Sequence, residues 1–372
     1  MRQYITATTA DRGGGDKTQV TVTDSQGRDV TLDLPLEKIV LFDNDSINTY
    51  VAIGGLEFFD KVVGLGGTLK ESNATLWDLY CKKVPGFSDI PQLGGFYEGT
   101  VSSEKVLALK PDLVVIPNYV KLLNYPADEF IEYLEYSNVP YIFLGYYNDS
   151  FDEGVYENNT RTIGTILQNE ERAEEIIEFN DREKEKVLGV LHDGGDKPTV
   201  FLEILMDPSS GTYMTTVVGE PEIAYGGLYN MGRDNSMLAG TGYGFLSMEY
   251  IMSKDPDLIL LCASGYYYPP LGEVFGFDVN PTQEQLENTA KEYLGRTGWS
   301  SLTAVKEGRV HFIDANFRNG VECFVSLQYV AMWGYPDVFP DLDPKSALEE
   351  FYDRFMPFEI SGNWAYTPAL SQ

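Results

Sequence analysis

Two stretches of this chain repeat each other: VSSEKVLALKPDLVVI at 101–116 and LSMEYIMSKDPDLILL at 246–261. Aligned without gaps, they share identical residues at five positions, which are Ser102 and Ser247, Glu104 and Glu249, Pro111 and Pro256, Asp112 and Asp257, and Leu113 and Leu258. In the same register, Gly95 and Gly99 match Gly240 and Gly244. Most of the remaining strand positions exchange one aliphatic residue for another. The repeat predicts two folding units of the same construction.

The chemistry of the repeated unit indicates a helix followed by a buried strand. Its serine is a helix N-cap, because the side chain accepts a hydrogen bond from a free amide of the first turn. Its glutamate complements the positive end of the helix dipole. Its proline ends the helix, because the residue before a proline avoids the α conformation. One such helix–strand unit therefore occurs in each half of the chain.

Short apolar runs extend this pattern in both directions along the chain. They lie at 38–42, 61–65, 112–116, 141–144, 199–205, 258–261 and 309–313. Continuous apolar runs are typical of strands buried on both faces. Helical patterns separate them or follow them, for example at 325–333 and 345–355, and a small hairpin at 20–30 precedes them. The sequence therefore predicts an α/β fold with two lobes, each with a mostly parallel central sheet flanked by helices.

A charged stretch at 158–191 separates the two halves and carries apolar residues at helical spacing. We expect one long α-helix that joins the lobes, about 45 Å long if it has ~30 residues. Two shorter helices with a break near Asn180 are the alternative. The predicted division is a flexible leader at 1–19, an N-terminal lobe at 20–155, a linking helix at 156–194, a C-terminal lobe at 195–345, and a C-terminal helix and tail at 346–372.

Composition excludes several classes of function. The 372 residues include 27 Lys and Arg against 57 Asp and Glu, a net charge of −30. Nucleic acid is therefore excluded as the main partner, because phosphate binding needs clustered cations. An anionic membrane surface is disfavoured as well. No apolar stretch approaches the ~18 residues of a membrane span.

The sequence also argues against an enzyme or a resident metal centre. Two histidines exclude a three-histidine site, and the three cysteines have no CxxC spacing. The GxSxG, GxxxxGK[ST] and HExxH motifs are absent. We therefore predict no catalytic residues, no metal ligands and no cofactor, and a binding protein rather than an enzyme. A bilobed cofactor-insertion protein is a competing class, but it needs clustered Cys or His at its cleft.

At the repeated residues the chain resembles the substrate-binding proteins of ABC importers for iron complexes and cobalamin. The resemblance covers about 20–355. It is carried by the stretches at 22–31, 37–41, 91–94, 104–112, 249–257 and 304–310. The resemblance implies two lobes bridged by a single helix, a monomer, and an extracytoplasmic location in the periplasm or at the cell surface. It also implies a lipid anchor in the full precursor, whose signal region is not in this chain.

In the resembling family, one helix-start glutamate per lobe docks on arginines of the membrane permease. The matching residues here are Glu104 and Glu249. Taken singly, each glutamate could merely complement a helix dipole. As an exposed pair, one per lobe, they favour docking on a partner protein that carries basic residues at matching positions.

Ligands of open α/β sheets bind beyond the carboxyl ends of the strands. The loops expected there supply the candidate cleft residues, which are Asn44, Asp45, Tyr97, Tyr119, Tyr147, Tyr213, Tyr243, Tyr266, Tyr267, Tyr268, Phe317 and Arg318. Aromatic rings can cover the apolar faces of a ligand, and a guanidinium can meet its paired oxygens. Lys121 is a weaker second cation. Alternatively, Arg318 pairs with a neighbouring carboxylate such as Asp314 or Glu322.

The expected ligand is a small-molecule metal complex of the ferric siderophore type. A corrinoid (cobalamin) or haem suits an aromatic cleft as well, and these ligands stay open as alternatives. A surface receptor without transport is a further alternative.

Overall fold

The computed structural model describes residues 6–8, 17–67, 69–122, 124–145, 153–191, 197–211, 213–216, 229–230, 243–265, 267–318 and 320–369. Its architecture is α/β, with two main sheets flanked by helices, and the central strands of each sheet are parallel. The predicted fold class is therefore confirmed. Within these residues no helix is both long and hydrophobic enough to cross a membrane.

The N-terminal lobe is built on a four-stranded sheet, all of it parallel, with the order β5-β4-β6-β7. Its strands are β4 (Ile39–Leu41), β5 (Val62–Leu65), β6 (Leu113–Pro117) and β7 (Tyr141–Leu144). Every residue of β6 is buried, which explains its continuous apolar run. Its helices are α1 (Ile47–Gly54), α2 (Leu69–Ser72), α3 (Ala74–Lys83), α4 (Ser103–Leu109), α5 (Tyr119–Leu122) and α6 (Asp128–Tyr136). An antiparallel sheet of β1 (Thr6–Thr8), β2 (Thr18–Thr23) and β3 (Asp29–Leu34) precedes it and includes the predicted hairpin.

The C-terminal lobe has a mixed sheet with a parallel centre. The central strands β8 (Thr199–Ile204), β12 (Leu258–Ala263) and β14 (Val310–Asp314) are parallel, and β10 (Tyr229–Asn230) joins β8 in parallel. The antiparallel flanks are β9 (Tyr213–Thr216), β11 (Tyr243–Leu246) and β16 (Ala365–Tyr366), and β13 (Gly276–Phe277) pairs with β15 (Gly362–Asn363) separately. The helices are α9 (Met248–Lys254), α10 (Gln283–Leu294), α11 (Thr303–Lys306), α12 (Cys323–Gly334) and α13 (Pro344–Phe355).

The repeated unit has the same local structure in both lobes. Ser102 caps α4 by accepting a hydrogen bond from the Lys105 amide, and Ser247 caps α9 by accepting one from the Tyr250 amide. The repeated aspartates have a role that the sequence did not reveal. Each carboxylate accepts hydrogen bonds at the start of the neighbouring strand region. Asp112 binds the amides of Glu37 and Lys38 before β4, and Asp257 binds the amide and hydroxyl of Thr199 in β8.

The expectation of one continuous helix over 158–191 is wrong. Two helices, α7 (Glu153–Leu167) and α8 (Glu170–Leu188), form an antiparallel pair, and the break lies at Gln168 rather than near Asn180. Gln168 has a left-handed φ of 56°, which ends α7. Close packing favours the pair, because a Cβ at Gly164 would lie only 2.6 Å from the Cβ of Ala173.

The C-terminal helices pack on the N-terminal lobe. One apolar core contains residues of the N-terminal sheet, of α8 and of α13. In that core, the ring of Phe179 on α8 meets Phe351 and Phe355 of α13 edge-on. The helix α12 contributes Phe324 to the same core and Val330 to the core of the C-terminal lobe. The two lobes are therefore joined through α8 and through this shared core.

Candidate functional site

A cleft lies between the lobes at the carboxyl ends of the C-terminal strands. A cavity of about 260 Å³ there has one wall from residues 72–75 and Asp78 of the N-terminal lobe. The opposite wall includes the ends of β12 and β14, with Ser264, Glu273 and Asp314. This is the position at which open α/β sheets bind their ligands. Carboxyl and hydroxyl groups dominate the polar part of the lining.

Asp43 follows β4 and lies over the ends of β6 and β7. A Cβ placed at Gly145, just beyond β7, would be 3.4 Å from Asp43 Oδ1 and 3.1 Å from Asn118 Oδ1. Burial raises the pKa of Asp43 to about 8; Asp45 adds to the rise and Ser46 opposes it. At neutral pH the group is therefore mostly a carboxylic acid, which can donate a hydrogen bond. Asp43 adjoins the predicted cleft residues Asn44 and Asp45, and sequence reasoning did not single it out.

Three tyrosines of the N-terminal lobe form a row, which we call the tyrosine wall (Tyr97, Tyr125 and Tyr119), and Tyr119 lies just beyond the carboxyl end of β6. The ring of Tyr125 meets those of Tyr97 and Tyr119 edge-on, with centroids 5.7 and 6.0 Å away. Tyr97 is 64% exposed. Burial raises the pKa of Tyr119, and the nearby carboxylate of Asp45 raises it further. The structure thus groups three predicted residues, Asp45, Tyr97 and Tyr119, and adds Tyr125.

Two predicted cleft residues are wrong, because they are core residues. Tyr213 lies on the inward face of β9, where its ring stacks on Trp299 at 6.3 Å. Phe317 is buried in the shared core and meets Trp364 edge-on at 4.8 Å. Asn44 is also buried, and its amide donates to the Gly66 carbonyl, so it connects the ends of β4 and β5.

Tyr267 and Tyr268 follow β12 and are half-buried on different cores of the C-terminal lobe. The predicted second cation, Lys121, forms an ion pair with Asp128, with Nζ 2.7 Å from Oδ1. The backbones of Tyr243 and Arg318 belong to β11 and to the turn at Ala315–Arg318, whereas their side chains lie outside the described part. Tyr147 and Tyr266 also lie outside the described residues.

His311 is a core residue of the C-terminal lobe. It stacks on Trp333 with ring centroids 4.5 Å apart, and its Nδ1 lies 2.8 Å from the Thr367 hydroxyl. Burial lowers its pKa from 6.5 to about 3. The ring therefore stays neutral in the folded protein at all but strongly acidic pH. The second histidine, His192, is outside the described residues.

His311 is expected to make the protein sensitive to mild acid. Below pH 6.5 His311 becomes protonated in the unfolded chain, whereas in the folded protein it becomes protonated only near pH 3. Stability present above pH 6.5 is therefore lost between these values, by about 2–3 kcal/mol at pH 4.5. Urea unfolding of the wild type and of His311→Gln at pH 7 and pH 4.5 measures this difference. Equal losses in both proteins would contradict the role of His311.

Glu104 and Glu249 occupy equivalent positions in the two lobes. Each is the second residue of its helix, α4 or α9, and each is exposed. Each helix precedes a strand of a parallel sheet and is antiparallel to that strand. Its first turn therefore lies at the carboxyl end of the strand, on the cleft side of the sheet. Hydrogen bonds from its own backbone amide and from Ser247 lower the pKa of Glu249. The pair thus presents one negative charge per lobe around the cleft opening.

A family model described as periplasmic binding protein matches residues 51–317, more than half of the chain. YvrC, an uncharacterized ABC transporter substrate-binding lipoprotein of Bacillus subtilis (strain 168), is 26% identical over 330 residues, with 87% of each chain covered. The molybdate-binding protein MolA of Haemophilus influenzae is 20% identical over 375 residues, with 90% of each chain covered.

Solved structures show the same fold. The TroA-like periplasmic binding protein FepB from Veillonella parvula matches with a TM-score of 0.80 and 28% identity, covering 93% of this chain and 99% of that one. MolA bound to molybdate matches with a TM-score of 0.67 and 18% identity, covering 92% and 99%. At that identity, MolA supports the fold alone.

Proposed function

This chain belongs to the periplasmic binding protein family, and we propose that it captures an iron complex of the ferric siderophore type in the interlobe cleft. In this proposal it acts outside the cytoplasm and delivers the complex to the permease of an ABC importer. The likeness to an ABC transporter substrate-binding lipoprotein supports the importer role. The proposed partners are the metal complex and the permease, and we expect a monomer that has no nucleic-acid partner.

The single observation that carries the choice of ligand is the tyrosine wall. Tyr97 is mostly exposed, and the edge-on contacts with Tyr125 continue the aromatic surface to Tyr119, at the carboxyl end of β6 where we propose that the ligand binds. Such a surface suits the apolar faces of a large chelate. Arg318 is proposed to meet the anionic oxygens of the chelate.

The acidic lining of the cleft supports a second candidate in the same class. Asp78, Glu273 and Asp314 all line the cavity, and carboxylates repel an anionic ligand. An uncharged corrinoid would avoid that repulsion while still using the tyrosine wall. A small oxyanion such as the molybdate bound by MolA is the least compatible with these carboxylates.

Titration with coloured ligands separates these proposals. A ferric tris-catecholate, a ferric tris-hydroxamate, cobalamin, haem and molybdate are each titrated into the wild type, Arg318→Ala and the control Arg309→Ala. Arg309 is a suitable control because it pairs with Glu307, away from the cleft. We expect the ferric catecholate to bind the wild type and to lose about tenfold in affinity in Arg318→Ala only.

Two results would overturn the iron-complex proposal. Tight cobalamin binding that ignores Arg318 would assign the cleft to a corrinoid. Binding of molybdate alone, or of none of the five ligands, would reject both candidates.

A further inference from the structure

A short two-stranded ribbon passes from one lobe to the other beside the cavity, and we call it the interlobe ribbon (275–278 and 361–366). It contains the antiparallel strands β13 and β15. Next to this pairing, the Asp278 amide donates a hydrogen bond to the Ser361 carbonyl at 2.7 Å. Two segments that are far apart in the chain therefore form one structural unit.

Each segment of the ribbon places one aromatic ring in a core of each lobe. In the first segment, Phe275 belongs to a core of the C-terminal lobe, and Phe277 belongs to the shared core of the N-terminal sheet. In the second segment, Trp364 belongs to the shared core, and Tyr366 packs against the same C-terminal core as Phe275. The ribbon therefore connects two separate cores.

Ring contacts hold the ribbon on both sides. In the shared core, Trp364 meets Phe277 and Phe317 edge-on, with both centroid distances at 4.8 Å. In the C-terminal core, Phe275 stacks on Phe312 of the central strand β14 at 6.0 Å. Such pairs have preferred geometries as well as a large buried area. A shift of the ribbon in either lobe would therefore lose ring contacts in that lobe.

The ribbon is also bonded to both walls of the cavity. On the N-terminal side, the Thr75 hydroxyl accepts a hydrogen bond from the Phe277 amide at 3.2 Å. On the C-terminal side, the Asp314 amide donates to the Trp364 carbonyl at 2.7 Å. Thr75, Phe275 and Asp314 all line the cavity. The ribbon thus contacts one residue of each wall directly and supplies a third lining residue itself.

The two glycines of the ribbon pack too closely for any side chain. Gly276 has a φ of 126°, and a Cβ there would lie 2.9 Å from Thr75 Cγ2. Gly362 has a φ of 153°, and a Cβ there would lie 2.7 Å from Cζ2 of the Trp364 ring. Both positions need glycine because of the backbone conformation and because of the close approach.

We infer that the interlobe ribbon sets the spacing of the two cavity walls, and that Phe277 and Trp364 are its positioning residues. Their rings hold the ribbon in the shared core, while its hydrogen bonds hold Thr75 on one wall and Asp314 on the other. The inference rests on the proposed function only in taking the cavity as part of the ligand site. Walls at a fixed spacing improve affinity, because less ordering is needed when the ligand binds.

The test measures a distance between the lobes that spans the ribbon. Spin labels replace Lys83 on α3, the helix that carries Thr75, and Asn288 on α10; both positions are exposed. The helix α10 packs in the C-terminal core through Tyr293, whose ring meets Phe312 edge-on at 5.9 Å. Pulsed electron resonance gives the distance distribution. The labels are attached through unnatural residues, so the three native cysteines stay.

Trp364→Ala is expected to broaden this distribution about twofold, because the ribbon loses its hold on the shared core and more separations become populated. Trp333→Ala is the matched control and should leave the distribution narrow. Trp333 is 9% exposed against 5% for Trp364, but it packs in a core of the C-terminal lobe, where it stacks on His311. Both variants remove the same side chain, and only one of them loosens the ribbon.

Ligand affinity gives a second readout. A ferric tris-catecholate that binds the wild type should bind Trp364→Ala about tenfold more weakly, because the walls must be ordered on binding. Its affinity for Trp333→Ala should stay close to that of the wild type. An affinity that Trp364→Ala leaves unchanged, despite a broadened distribution, would overturn the part of the inference that concerns the ligand.

An unchanged distribution in folded Trp364→Ala would overturn the inference, and so would equal broadening in Trp333→Ala. If Trp364→Ala does not fold, Trp364→Leu is compared with Trp333→Leu by the same criteria. The distance measurement needs no ligand. A wrong ligand class would therefore appear in the titrations of the wild type, whereas a wrong role for the ribbon would appear in the distances.

Discussion

Arg296→Met is expected to lower the free energy of unfolding of the C-terminal lobe by about 3–5 kcal/mol, because it leaves a buried carboxylate without its partner. Arg296 binds Glu203 through two hydrogen bonds, at 2.6 and 2.8 Å. The Glu203 side chain is fully buried and that of Arg296 is 7% exposed. Burial raises the pKa of Glu203, and Arg296 opposes that rise. The variant must therefore either bury a bare charge or protonate Glu203.

The surroundings of Arg296 add to this effect. Its guanidinium lies 4.0 Å from the ring centroid of Trp299, 5.0 Å from that of Tyr213 and 5.1 Å from that of Tyr293. These contacts bring the end of α10 against β8 and β9. Methionine keeps part of the apolar contact with the rings, so the expected loss comes mainly from the unpaired acid.

Urea unfolding monitored by tryptophan fluorescence measures the loss. Arg161→Met is the matched control, because Arg161 also binds a glutamate through two hydrogen bonds, yet both side chains are exposed. It should cost less than about 1 kcal/mol. The double variant Arg296→Met/Glu203→Leu should recover most of the stability. If Arg296→Met and Arg161→Met lose equal amounts, the buried pair does not have the role described here.

Local signals were sufficient to predict the two lobes from sequence. Ser102 and Ser247 cap their helices in the structure as the repeat predicts, and the continuous apolar runs became buried parallel strands. The break between α7 and α8 has a weaker signal, an Asn at the N-cap position 169 followed by Glu170 and Glu171. Gln168 is neither Pro nor Gly, and the favourable packing of Gly164 on Ala173 depends on two helices that are already folded back on each other.

The site was less predictable because its decisive contacts are remote in sequence. Thr75 and Phe277 are separated by 202 positions, and Glu203 and Arg296 by 93, so neither pair leaves a local pattern. Tyr119 follows the end of β6 and Tyr213 begins β9. Tyr119 nevertheless joins the tyrosine wall, whereas Tyr213 packs in a core. Which way such a ring points depends on the pairing of its strand, which a single sequence does not reveal.

Charge reversal at Glu104 and Glu249 is expected to abolish ligand delivery while leaving ligand capture intact. Each carboxylate is exposed and stands on the cleft side of its lobe. If each meets an arginine of the permease, Glu104→Arg and Glu249→Arg place like charges face to face, which weakens the complex and slows its formation. Uptake by proteoliposomes that contain the permease and its ATPase should fall at least about tenfold for either variant, and to background for the double variant.

The alternative role of these glutamates is to stabilise their helices, and the chain contains matched controls for it. Glu170 and Glu171 are likewise exposed in the first turn of a helix, α8, so their reversal disturbs a helix dipole in the same way. This turn lies at the end of α1 rather than on the cleft side, because Asn169 donates to the Ile53 carbonyl. Glu170→Arg/Glu171→Arg should keep uptake. All variants should keep their Tm and their affinity for the ligand. Undiminished uptake by Glu104→Arg/Glu249→Arg would reject docking, whereas an equal loss in the control pair would assign the effect to overall charge, because both double variants change the net charge of −30 by the same amount.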